Sequence, residues 1–202
     1  GSACAVALVS GDAQLGAIGT VSLVEGRHLV CMAHPFLQLG PVDLPLAAAE
    51  IVTLFPSRDI SFKLGSAGPL VGRVTHDLRA GLAGELGTAA PVTEVDVTVA
   101  LPSGSDDYAF AVARHPALTP QLVYWCLYNA LLAEGDDRSE QLVRYDVDLD
   151  LVAADGGVLP SVTLRGATGG PGGVAALASD WQAPLKLLLG NRHRPLDVAR
   201  VR

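Results

Sequence analysis

The sequence lacks three features, and each absence argues against a class of protein. It has no basic run, and its 14 Lys and Arg residues are outnumbered by 21 Asp and Glu residues. Because nucleic-acid binding depends on clustered cations, that function is set aside. None of the three cysteines falls in a Cys-X-X-Cys pair, so a cysteine-based zinc site is not expected, and at most one internal disulfide is possible. The longest apolar stretch, 29–55, is broken by charged residues and prolines, so no transmembrane segment is predicted.

Apolar residues, by contrast, are abundant. Half of the 202 residues are hydrophobic and only 17% are charged, which predicts a sizeable buried core. The length allows one domain or two small ones, and we expect a division into 1–90 and 91–202. The chain opens with Gly1-Ser2 next to a strand-like run, which is typical of a domain taken from a longer protein, with any signal peptide already removed.

Short apolar runs between turn residues predict β structure over the first hundred residues. Glu25-Gly26-Arg27 lies between two such runs and predicts a hairpin connection. Prolines and a glycine over 34–48 predict a structured loop instead of a regular element. The predicted strands are 5–9, 18–24, 28–33, 51–55, 70–74 and 92–99.

The second half adds two helices. Thr119-Pro120 followed by good helix formers over 121–133 predicts the first helix. A second helical stretch starts at Val174, where Pro184 must either kink the helix or begin a new one. Strands are predicted over 143–151, 160–165 and 198–201. The chain is therefore predicted to be mainly β (α+β), with two helices in its C-terminal half.

Two short segments could carry chemistry. His34 follows an apolar strand, and Ser66 lies in a small-residue segment, 65–71, that predicts a turn. A serine nucleophile needs a base to accept its proton, and backbone N–H groups to hold the oxyanion. A turn around Gly65 and Ser66 would supply such N–H groups. Each residue also has a structural interpretation, as a turn serine and as a hydrogen-bonded histidine at a strand end.

Several motifs occur in an order that resembles a known family, the SpoIVB-type serine peptidases (peptidase family S55). The likeness covers roughly residues 5–87. The motifs that carry it are Gly16-Ala17-Ile18-Gly19-Thr20-Val21, Ala33-His34-Pro35-Phe36, Ser61-Phe62-Lys63-Leu64-Gly65-Ser66, Val71-Gly72-Arg73-Val74-Thr75-His76-Asp77 and Ala80-Gly81-Leu82-Ala83-Gly84.

The resemblance implies a chymotrypsin-like, S55-type β-barrel core with His34 as general base and Ser66 as nucleophile. Gly65 and Ser66 would then form the oxyanion site. By sequence order Asp59 is the first candidate for the triad acid, and Asp43 is the second. The sequence departs from the family pattern in two ways: Ala67 replaces a glycine, and only 31 residues separate His34 from Ser66.

Three functions remain open at this point. The first is an extracytoplasmic serine endopeptidase that cleaves a protein substrate, or its own chain, through an acyl-enzyme. The alternative is a catalytically inactive S55-fold binding or scaffold module that engages an extended peptide through exposed strand edges. The third is a hydrolase of another substrate class that uses the same Ser/His pair.

Other ionisable groups are expected to be structural. His76-Asp77 predicts a structural hydrogen bond at a strand end, and Cys31 predicts a buried, unreactive thiol. No His-X-His or His-X-X-X-His spacing supports a metal site, and no cofactor is expected.

Overall fold

The structure is a computed structural model that describes residues 2–58, 62–134, 141–170 and 173–202. The chain is mainly β with two helices, which confirms the predicted class at this level. No helix in the described ranges is both long and apolar enough to cross a membrane. Backbone contacts divide the chain into two compact units. Unit 1 comprises Gly1–Ser10 and Gln14–Pro91, and unit 2 comprises Gly11–Ala13 and Val92–Arg202.

Unit 1 consists of six strands, and each pairs antiparallel with its neighbours. They lie in the order β1-β2-β3-β6-β5-β4, and β4, the last strand of this order, also pairs with β1, the first. Strands β1, β2 and β3 are consecutive neighbours and β4 lies beside β1, which is a Greek-key arrangement. The strands are β1 (Ala3–Gly11), β2 (Leu15–Glu25), β3 (His28–Cys31), β4 (Gly40–Phe55), β5 (Phe62–Leu78) and β6 (Gly81–Leu86).

The core of unit 1 lies between these strands. Val6, Leu44, Leu46, Val74 and Leu82 are completely or almost completely buried. Leu44 on β4 is the register partner of Val74 on β5. Burying an aliphatic side chain of this size contributes about 1.5–3 kcal/mol. The predicted hairpin at Glu25-Gly26-Arg27 is confirmed, because β2 ends at Glu25 and β3 begins at His28.

The predicted loop over 34–48 is wrong in its second part, because β4 begins at Gly40. The strand runs through Pro41 and Pro45. It pairs with β1 only at 46–48, so at both prolines β5 is its only paired neighbour among the described residues. A proline is tolerated on such an edge because its missing N–H can face away from the ladder.

The predicted turn at 65–71 is also wrong, because this segment lies inside β5. Its glycines serve close approach between strands. A Cβ atom at Gly65 would lie 2.2 Å from the carbonyl oxygen of Glu50 on β4. Similarly, a Cβ atom at Gly72 would lie 2.0 Å from the carbonyl oxygen of Glu85 on β6. The small residues that predicted a turn therefore belong to a strand whose neighbours approach its backbone closely.

Unit 2 is a five-stranded arrangement with two helices. Its strands lie in the order β10-β9-β11-β7-β8, with β11 parallel to β7 and the other pairs antiparallel. The predicted strands over 92–99 and 143–151 are confirmed. The elements are β7 (Val92–Leu101), β8 (Gly104–Ala113), α1 (Thr119–Glu134), β9 (Gln141–Ala153), β10 (Val162–Gly170), α2 (Gly173–Leu189) and β11 (Leu196–Val201).

Both helices of unit 2 contribute to its core. Leu122, Cys126 and Ala130 recur every four residues on α1, and all three are buried. On α2, Trp181 is buried and meets Tyr145 of β9 edge-on, with ring centroids 4.9 Å apart. Helix α2 continues through Pro184 as one element and does not restart there.

Candidate functional site

His34 lies in the segment that joins β3 to β4, just after the strand as the sequence predicted. Its side chain is exposed, and its Nδ1 atom lies 2.9 Å from the carbonyl oxygen of Pro35. The backbone around it is strained. Met32, Ala33 and Gln38 have φ values of 70°, 52° and 57°, all in the left-handed region that non-glycine residues rarely adopt. Such strain persists only where neighbouring groups hold the conformation.

Asp77, near the end of β5, holds this segment in place. Its side chain is buried, with 1% of its surface exposed. Its Oδ1 atom accepts a hydrogen bond from the Phe36 N–H at 3.2 Å. Its Oδ2 atom accepts from the N–H groups of Leu37, at 2.7 Å, and Leu39, at 3.2 Å. The structural role predicted for this position is therefore confirmed for Asp77.

Ser66 is an exposed residue of β5 and is the register partner of Glu50 on β4. Its neighbour Ala67 packs against buried alanines of β1 and β4. Adjacent N–H groups of an extended strand point to opposite sides, whereas an oxyanion site needs donors that converge on one point. Gly65 and Ser66 therefore do not form the turn that the oxyanion prediction assumed.

No contact between Ser66 and His34 is seen within the described residues. The His34 segment is tied to Asp77, which lies eleven residues beyond Ser66 on the same strand. That interval corresponds to roughly 35 Å of extended chain. Within the described ranges, no hydrogen bond joins the His34 imidazole to the Ser66 hydroxyl. The pairing of Ser66 as nucleophile with His34 as base stays a prediction.

The two candidate acids have different outcomes. Asp59 lies outside the described residues. Asp43 lies 3.2 Å from the Arg73 guanidinium, which also bonds Glu85 at 3.0 Å. The hydrogen bond from Arg73 lowers the pKa of Glu85, and the two carboxylates together raise the pKa of Arg73. Asp43 thus belongs to an ion-pair network that links β4, β5 and β6.

Two thiols lie together in the interior of unit 1. Cys4 on β1 and Cys31 on β3 flank β2, and both are buried. The hydrogen bond between them, together with burial, raises the pKa of Cys31, and the same bond lowers that of Cys4. The predicted burial of Cys31 is confirmed, and its low reactivity stays a prediction.

A cleft in unit 1 was not predicted from the sequence. It lies between β2 and β5. Strand β2 pairs with β3 only from Val21 onward, and β5 pairs with β6 only from Gly72 onward. Hydrogen bonds on the second side begin at Thr20, from the Met32 N–H, and at Val71, from the Gly87 N–H. Over 15–19 and 62–70, each strand therefore has a hydrogen-bonded neighbour on one side only within the described part of the chain. The two unpaired edges face each other.

Side chains close one end of this cleft. The Lys63 ammonium donates a 2.6 Å hydrogen bond to the Thr20 hydroxyl, and a Cβ atom at Gly65 would lie 3.1 Å from Cδ1 of Ile18. Beyond that end, a cleft of about 350 Å³ opens between residues 14–18 and 65–70. Ala5 and Ala7 of β1 also line it, and none of the lining residues is charged.

One sequence signal could have suggested the cleft. Small residues alternate on β1 at Ala5 and Ala7, and on β4 at Ala47 and Ala49, and this cluster also includes Ala67. Alternation with period two places such residues on one face of a strand. Which strands bring these faces together depends on pairings between distant parts of the sequence, and periodicity does not report those.

Comparisons with known proteins leave the family open, because no family model, no curated protein and no solved structure matches this chain.

Proposed function

We propose that this chain is a binding module with an S55-type fold that engages an extended peptide and does not cleave it. The observation that carries the proposal is the position of Ser66. It lies on the unpaired edge of β5 beside a neutral cleft, far along the strand from the Asp77 carboxylate that holds the His34 segment.

For the fold of unit 1, we infer a chymotrypsin-like, S55-type barrel. The cyclic pairing of six antiparallel strands supports this inference, as does the Greek-key order of the first four. The position of His34, directly after β3, also agrees with the order of motifs in the family that the sequence resembles.

The absence of cleavage follows from the chemistry of serine. A serine hydroxyl is a weak nucleophile unless an adjacent base accepts its proton. Members of a catalytic triad act as a unit, so a serine far from its histidine retains little of the rate enhancement. Ser66 also lacks converging backbone donors, because its segment is extended. The endopeptidase function stays a prediction that would require Ser66 and His34 to meet.

Peptide binding follows from the exposed edges and side chains. An unpaired strand edge offers N–H and C=O groups to an added strand. Large apolar side chains are exposed on β5 and on its partner strand β4. Leu70 borders the cleft and is 54% exposed, and Val52 and Leu54 on the paired part of β4 are 70% and 63% exposed. Contiguous exposed apolar surface commonly marks an interaction site.

A combined capture and labelling experiment tests the proposal. The protein is incubated with a random peptide library and, separately, with a fluorophosphonate probe. We expect enrichment of intact peptides by mass spectrometry and no labelling. Ser22→Ala, at an exposed serine of β2, is the matched control for Ser66→Ala. The proposal fails if no peptide is enriched. It also fails if the probe labels the wild type and the labelling is lost in Ser66→Ala and suppressed in His34→Ala.

A further inference from the structure

We infer that the cleft between β2 and β5 is the peptide site, and that it takes an uncharged, extended segment of a partner protein with small side chains facing the cleft floor. This inference rests on the proposed function and specifies the site and the class of ligand.

The facing strand edges indicate a polypeptide. Residues 15–19 of β2 and 62–70 of β5 each have one paired side within the described chain. Backbone N–H and C=O groups are strong hydrogen-bonding groups, and along a strand they alternate between its two sides. An extended peptide presents the same alternation of donors and acceptors to an edge, which a compact small molecule does not.

The floor limits the size of the side chains. Ala5 and Ala7 line the cleft, are almost fully buried, and pack with Ala47 of β4. The volume of about 350 Å³ is near the lower end of the range for ligand sites. In an extended peptide, alternate side chains face the same way. Alternate residues of the ligand would therefore have to be of the size of glycine, alanine or serine.

The lining selects against charge. None of the residues around the cleft is ionisable, and its polar side chains, such as Ser10 and Gln14, are neutral. Lys63 lies at the closed end and is hydrogen-bonded to Thr20. Moving a charged side chain from water into such a site without a partner is costly. Leu70 at the border adds an apolar contact for the segment that enters.

The test uses a fluorescein-labelled peptide in which alanine and threonine alternate over six residues, the length of segment 65–70. Fluorescence polarisation should show saturable binding to the wild-type protein. A second peptide, with leucine in place of alanine, should bind about tenfold more weakly or worse, because its side chains overfill the floor.

A variant locates the site. Gly68 lines the cleft, and a Cβ atom there would make only an ordinary contact, 3.5 Å from the carbonyl oxygen of Ala48. Gly68→Val should therefore fold and should weaken binding about tenfold or more, because it enlarges a residue that lines the cleft. Ser22→Val places the same side chain on an exposed position of β2 outside the cleft and should bind like the wild type. Circular dichroism confirms that both variants are folded.

Three results would overturn the inference: no saturable binding of the alanine–threonine peptide, equal affinity for the leucine peptide, or unchanged binding by folded Gly68→Val. None of these implies catalysis. A module that binds elsewhere would still capture library peptides and remain unlabelled by fluorophosphonate, so failure of this inference is distinguishable from failure of the proposed function.

Discussion

At the level of single residues, Asp77 has the clearest structural role in unit 1. Three backbone N–H groups from residues 36–39 donate to its carboxylate, and Gln38 in this segment has a positive φ, as do Met32 and Ala33 shortly before it. Each such strained residue costs on the order of 1–3 kcal/mol. Hydrogen bonds to a charged acceptor contribute about 1.5–3 kcal/mol each, so the carboxylate can offset this strain.

Replacing Asp77 should therefore destabilise the protein. We expect Asp77→Ala to lower the free energy of unfolding by about 2–4 kcal/mol, because it leaves backbone donors without a partner. Asp77→Asn should cost less, since its amide oxygen can still accept the two bonds now made to Oδ2. Urea denaturation measures both changes, with Asp180→Ala at an exposed position of α2 as control. A loss no larger for Asp77→Ala than for Asp180→Ala would contradict this role.

At the level of elements, β5 shows how far local sequence predicts a strand. The strands over 70–74 and 92–99 were predicted because apolar and β-branched residues report extended structure locally. The glycines and prolines of β4 and β5 were interpreted as loop and turn. Pro41 is compatible with a strand because β4 has only one paired neighbour there within the described residues. Gly72 lies in a strand because the backbone of β6 approaches too closely for a side chain at this position. Both reasons depend on partner strands, which a local pattern does not reveal.

Two glycines of β5 give a matched test of this explanation. A Cβ atom at Gly72 would meet the Glu85 carbonyl oxygen at 2.0 Å, whereas at Gly68 the nearest atom is 3.5 Å away. Neither residue has a positive φ. We expect Gly72→Ala to lower the free energy of unfolding by about 1–3 kcal/mol or more through overpacking. Gly68→Ala should be close to neutral. Thermal or urea denaturation compares the two, and equal stabilities would show that close approach does not explain Gly72.

At the level of the whole molecule, composition predicted the class of protein, but it could not predict the site. The apolar content and the alternating strands gave a mainly β chain. The pairing of Ser66 with His34 was inferred from motif order, and motif order does not give distance. The cleft depends on Ile18 and Gly65 being neighbours, which follows from the complete set of strand pairings in unit 1.

The distribution of apolar surface is also a property of the whole molecule. On β4, Val52 and Leu54 are 70% and 63% exposed. Their register neighbour Thr53 pairs with Leu64 of β5, which is also exposed. Residues 52–55 are all exposed, so neither face of the strand is covered along this stretch. We call these exposed side chains of the β4–β5 pair, Val52, Leu54 and Leu64 on its two faces, the ribbon patch.

The ribbon patch should dominate the binding of an apolar dye by the native protein. 1-Anilinonaphthalene-8-sulfonate fluoresces on exposed apolar clusters, and the double variant Val52→Thr with Leu54→Thr should remove most of the native signal while threonine preserves strand preference. Leu187→Thr on α2 is the control, because Leu187 is 78% exposed but belongs to a helix of unit 2. Its signal should match the wild type, since a single exposed leucine is ordinary surface. If Leu187→Thr lowers the fluorescence as much as the double variant does, the ribbon patch is not a distinct apolar surface.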